Sequence, residues 1–140
     1  MVFILPNRIL HGKALRIGAI FLLSMSMWYY TIMLKYHHLG IPTTVKKPGE
    51  RYLPEHKVYI SGYEDSAYKI EWMRYEPGCK LPEIVRKIPH VAFEVNNLAE
   101  AIKGKKVIIA PNSPSEGVQV AFIEENGAPI EFIQVKHQQA

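Results

Sequence analysis

Two histidines and two glutamates recur at matched places in this 140-residue chain, and that set of side chains can hold a divalent metal ion. His38 opens His38-Leu39-Gly40-Ile41-Pro42 and His90 opens His90-Val91-Ala92-Phe93-Glu94: histidine, apolar, small, apolar. Glu71 lies in Ile70-Glu71-Trp72-Met73 and Glu131 in Ile130-Glu131-Phe132-Ile133: apolar, glutamate, aromatic, apolar. The histidines are offset by 52 residues and the glutamates by 60, so the chain carries an internal repeat. Two imidazoles and two carboxylates suit Zn, Ni, Co, Mn or Fe as divalent ions, without distinguishing among them. No thiolate is offered, so a closed structural zinc site is not indicated. Open coordination positions would admit a substrate's adjacent oxygens, and the ion would act as a Lewis acid when a proton is removed beside a carbonyl. Singly, each residue reads as an ordinary solvated glutamate or surface histidine. Recurrence of all four in order favours a shared site. Burying a carboxylate among apolar neighbours without compensation costs several kcal/mol, so these glutamates either point at solvent or meet a cation.

These residues need strands to present them. Alternation over Tyr36–Thr43 puts His38, Gly40 and Pro42 on one face and His37, Leu39 and Ile41 on the other. His38 is then the ligand candidate and His37 packs, although a slip of one residue would exchange them. Further strands are expected over Val58–Ser61 and Ala67–Tyr75, with a turn over Gly62–Ser66 between them. Arg74 should point away from Glu71, while Met73 and Tyr75 share its face. In the second unit Pro89–Val95 reads as a strand, with His90, Ala92 and Glu94 on one face. Asn96 or Asn97 caps a short helix over Leu98–Lys103 that Gly104 stops. A strand over Lys106–Ala110 ends at Pro111, and residues 111–117 read as loop by composition. Val118–Glu124 and Pro129–Val135 complete the unit around an Asn126-Gly127 turn.

The second unit thus reads β-α-β-β-β. The first is shorter, with 33 positions from His38 to Glu71 against 41 from His90 to Glu131, as if a strand or helix had been trimmed. Two such units, each with a first-strand histidine and a last-strand glutamate, resemble the vicinal oxygen chelate superfamily of glyoxalase, bleomycin-resistance and extradiol dioxygenase proteins. The likeness covers Lys35 to Lys136 and is tightest in the second unit. It implies an α+β fold in which two βαβββ modules, the first shortened, form a cup-shaped mixed sheet. It also implies His38, Glu71, His90 and Glu131 as metal ligands, with Glu131 or Glu71 as the catalytic base. Glutamate at 71 leans away from the dioxygenases, which use only His-His-Glu. The activity implied is that of a metal-dependent lyase, isomerase or epimerase on a small oxygen-bearing substrate. The alternative is a metal-free small-molecule binding protein like the bleomycin-sequestering relatives. Methylmalonyl-CoA epimerases are similar in architecture.

Composition restricts the partners. Net charge is +4, but Arg8, Lys13 and Arg16 sit in the first 34 residues with no acid, leaving 14 basic against 13 acidic residues elsewhere. No basic face remains for nucleic acid. Cys79 is the lone cysteine, so no intrachain disulfide forms. Residues 1–34 form an apolar N-terminal extension, expected to be helical, in which Ile17–Leu34 is uncharged and long enough to span a bilayer. A strand starting at once after it leaves no linker to clear the headgroups. That favours a mis-assigned start or appended segment, with the domain beginning near Met33 in the cytoplasm, over an anchor through residues 17–34. Residues 35–76 are then the first module, 77–87 a linker, 88–136 the second module and 137–140 a tail. The compact linker favours a homodimer in which each cup pairs one chain's first module with its partner's second.

Overall fold

The computed structural model describes residues 34–136. The apolar extension before them and the tail after them, on which the anchor and start-site expectations fall, lie outside the described residues. Eight strands form one mixed sheet: β1 (Lys35–Pro42), β2 (Arg51–Leu53), β3 (Val58–Ser61), β4 (Ile70–Tyr75), β5 (His90–Glu94), β6 (Lys106–Ser115), β7 (Val118–Glu125) and β8 (Ala128–Val135). Two helices, α1 (Glu83–Lys87) and α2 (Leu98–Ile102), complete an α+β architecture. Among the described residues, no helix is long and apolar enough to cross a membrane.

Strand order is β2-β3-β4-β1-β5-β8-β7-β6, so the sheet is two copies of one four-strand pattern joined back to back. In each copy the first and last strands run parallel: β1 with β4, and β5 with β8. The copies meet where β1 and β5 pair antiparallel. The sequence repeat is thus a repeat in register. Gly40 stands opposite Glu71 and Ala92 opposite Glu131, each two residues after its histidine. Across the seam His38 faces Ala92 and Gly40 faces His90. Arg51 and Leu53 on β2 line the same cavity as Ile109 and Asn112 on β6, though these strands are the two edges of the sheet. The sheet therefore curls into a cup.

Alternation sorts the second module's faces. Ala121, Ile123 and Phe132 pack with Val95, Leu98 and Ala101 beneath α2, while Val120, Phe122 and Glu131 line the cavity. Asn97 caps α2 by accepting from the Glu100 backbone N–H at 3.1 Å, and Gly104 follows with φ of 70°.

The first module is shortened, as its shorter His-to-Glu spacing suggested. It has all four strands and lacks the helix: residues 43–50 connect β1 to the three-residue β2 without one. Glu50 holds this connection, accepting from the Lys47 backbone N–H at 3.0 Å and from Arg74 Nε at 2.9 Å. Arg74 also lies over the Tyr59 ring at 4.1 Å, outside the cavity. β4 starts at Ile70, later than alternation suggested, because Lys69 sits at φ 54° and its carbonyl accepts from Leu39 N–H at 3.1 Å. Residues 111–115, expected as loop, continue β6. Pro111 and Pro114 are tolerated there because β6 is an edge strand, where a missing N–H breaks no ladder on its open side, and irregular register absorbs the fit.

Candidate metal centre

β1 and β5 deliver the two imidazoles from opposite sides of the seam. His38 Nε2 and His90 Nε2 lie 3.2 Å apart, and both side chains are buried. The last strand of each module delivers a carboxylate. Glu131 Oε2 is 3.4 Å from both histidine Nε2 atoms, and Glu71 Oε2 is 3.7 Å from His38 Nε2. Four residues spread over 94 positions of sequence thus converge, the tightest group being His38, His90 and Glu131. In this one chain the two modules meet at β1 and β5, which brings the side chains together. Because β1 and β5 are antiparallel neighbours, the linker and α1 need only carry the chain from β4 to the start of β5.

The spacing fits an ion. Metal–ligand bonds of about 2.0–2.1 Å in tetrahedral geometry put ligand atoms about 3.3–3.4 Å from one another. Contacts of 3.2, 3.4 and 3.4 Å among His38, His90 and Glu131 match that edge length, while Glu71 reaches the group only at His38, at 3.7 Å. Electrostatics agree. Burial first, then the Glu131 carboxylate, raises the Glu71 pKa to about 7, against weaker lowering by His90 and Arg51. Burial lowers the His38 pKa to about 4; Glu131 opposes this, and His90 and His37 add to it. Near neutral pH His38 is therefore an uncharged imidazole with a lone pair to offer. Two ionised carboxylates here would repel each other in a desolvated place, and a divalent cation would offset that cost.

The surroundings of the two histidines differ. His90 lies edge-on to Phe122, with ring centroids 5.1 Å apart, and its buried Nδ1 has no hydrogen-bond partner. His38 Nδ1 lies 2.9 Å from Nδ1 of His37. Alternation had placed His37 among Leu39 and Ile41. A bulge in the β1–β5 pairing between Tyr36 and His38 turns it instead toward its neighbour, where it stacks on Tyr63 at 5.3 Å between centroids. The space that Gly40 leaves is filled by the His90 ring from across the seam.

The cavity above the centre has a volume of about 240 Å³. Its walls are largely apolar, with Met73 and Tyr75 on the Glu71 side and Val120 and Phe122 on the Glu131 side. Asn112 and Ser115, from the stretch read as loop, also line it. Arg51 is the one cation among the lining residues. No sequence signal marked Arg51, which lies on a strand too short to show a period.

Fold and site together define a paired-module α+β cup with a buried His/Glu centre at the seam of its halves. No protein-family model matches the chain, and neither does any curated protein. Among solved structures it is similar to a hypothetical protein from Bacillus halodurans C-125, at 26% identity and a TM-score of 0.56, over 76% of this chain and 98% of that one. It is also matched, at 14% identity and a TM-score of 0.46, with methylmalonyl-CoA epimerase from Mycobacterium tuberculosis, over 73% of this chain and 87% of that one.

Proposed function

We propose that this protein is a metal-dependent lyase, isomerase or epimerase of the glyoxalase type, with His38, Glu71, His90 and Glu131 as ligands of one divalent ion. The observation that carries this reading is the convergence of donor atoms from His38, His90 and Glu131 at ligand-to-ligand spacing, with Glu71 Oε2 3.7 Å from His38 Nε2, in a largely apolar cup. A bound ion would supply Lewis acidity, lowering the energy of an oxygen that gains negative charge as the adjacent carbon loses a proton. The chain's own residues do the rest. Glu71, on the cavity wall, is one candidate to accept and return the proton. Glu131 is the second candidate base. Apolar walls exclude water from the reacting carbon, and Arg51 suits an anionic group at the far end of a small oxygen-bearing substrate.

The test is elemental analysis of protein purified without an affinity tag, followed by reconstitution with Co²⁺, Zn²⁺ or Mn²⁺. Proton exchange at the carbon beside the carbonyl of small 2-oxo acids, followed by NMR in D₂O, reads the chemistry. About one ion per chain and metal-dependent exchange are expected; failure to take up any ion overturns the reading. A second reading, a metal-free binding protein, draws support from the unpartnered Nδ1 of His90, since ligating histidines almost always donate that N–H to an acceptor. Ligand binding indifferent to chelators would select it.

A further inference from the structure

Nδ1 atoms 2.9 Å apart share one hydrogen, and which ring carries it decides what His38 offers on its other side. If His37 donates, neutral His38 holds its proton on Nε2, which then faces His90 and Glu131 as a donor and cannot bind an ion. If His38 donates, its Nε2 is a bare lone pair pointing into the cluster. His37 is held from behind by Tyr63, whose hydroxyl can accept from or donate to its ring nitrogen. Its ring stacks on Tyr63 with 20° between planes, and its Nε2 lies 3.5 Å from the Tyr63 hydroxyl, at the limit of a hydrogen bond. An Nε2–H directed at that oxygen leaves His37 Nδ1 as an acceptor. The bulge between Tyr36 and His38 makes the contact possible, since regular strands send neighbouring side chains to opposite faces.

We propose that His37 is a positioning residue: it accepts from His38 Nδ1–H and so presents the His38 Nε2 lone pair to the ion. This rests on the metal reading above. His90 has no such support, so the two imidazoles are unequal ligands and His38 is the oriented one. Outer partners of this kind commonly contribute about 10–100-fold to metal affinity.

Two measurements test it. In the metal-free protein, long-range ¹⁵N–¹H NMR correlations read the His38 tautomer; a proton on Nδ1 is expected, and one on Nε2 overturns the proposal. Competition for Co²⁺ against a chromophoric chelator then compares three variants. His37→Ala should lose about 10–100-fold in affinity. His37→Asn, with an amide oxygen near the place of Nδ1, should restore most of it. His37→Phe keeps the stack on Tyr63 without the acceptor and should behave like His37→Ala; if it fails to fold, the Ala and Asn pair decides alone. Rescue by Phe and not by Asn would show a packing role and overturn the proposal, as would three unchanged affinities. Wild-type protein that takes up no Co²⁺ overturns the metal reading and this inference together, whereas wild-type uptake with unchanged variants overturns this inference only.

Discussion

The imidazole of His90 occupies the space that a side chain at Gly40 would need. A Cβ built on Gly40 would lie 2.1 Å from His90 Cε1 and 2.5 Å from Nε2, well inside contact distance. The two residues are cross-strand partners at the seam, so the glycine of the first repeat is cut to fit the histidine of the second.

Gly40→Ala should therefore act through His90. The ring cannot retreat far, being fully buried against Phe122, so about 1–3 kcal/mol of stability should be lost by overpacking. Metal uptake should fall as the ligand is displaced. In a His90→Ala background the same substitution should cost much less, a non-additivity that denaturant unfolding of the four proteins measures. Equal costs in both backgrounds would mean the clash is relieved elsewhere.

Glu71→Gln should change how stability varies with pH in the chelator-treated protein. The folded pKa of Glu71, raised to about 7, lies above its unfolded value of 4.5, so the folded state holds a proton that the unfolded state has lost between them. Stability from this group is full below the unfolded pKa and is lost as pH rises through the folded one. His38 runs the other way: its pKa, lowered from 6.5 to about 4, contributes stability above 6.5 that is lost as pH falls toward 4. In wild type the two slopes oppose each other across their shared window. The variant keeps only the His38 slope and should gain on wild type from about pH 4.5 to 7, by on the order of 2–3 kcal/mol. Urea unfolding at several pH values reads the gap; a gap that stays constant contradicts the assignment.

Arg51→Gln should discriminate between ligands. Arg51 and Leu53 face the cavity, while Tyr52 between them turns away to pack, tilted, against Tyr59 and donate to Glu76 at 2.7 Å. Calorimetry with metal-loaded protein would compare 2-oxo diacids with 2-oxo monoacids of equal chain length. Wild type should favour the diacid of best-fitting length by about two- to tenfold. The variant should lose that preference while binding monoacids as before. Parallel losses for both series would exclude an anion site at Arg51.

Mixing His38→Ala and His90→Ala chains by joint unfolding and refolding should restore no metal binding. Where one chain supplies both modules to one cup, as the β1–β5 pairing allows, every cup keeps one defect. Recovery in the mixture would show that modules are exchanged between copies.

Much of this arrangement was legible because the repeat is chemical as well as positional. His38, His90, Glu71 and Glu131 stand in similar local contexts, and the strands that carry them start and end within a few residues of where alternation puts them. What escaped were features that local pattern cannot carry. Pro111, Asn112 and Ser113 have turn composition, and only an edge position makes a strand of them. Which element the first module had lost was not legible, and the connection that stands in the helix's place is held by Glu50 meeting Arg74, 24 residues later. His37 obeys the period of two on paper; a bulge that depends on its partner strand overrides it.

Placing the centre on the seam has a mechanical consequence. Each half contributes one histidine and one glutamate, and the halves otherwise meet through one antiparallel strand pair and a short linker. Neither half alone could grip an ion with more than two side chains. An ion seated there would act as a rivet, so that prying the halves apart requires releasing it, and two lobes able to fray separately would come undone as one.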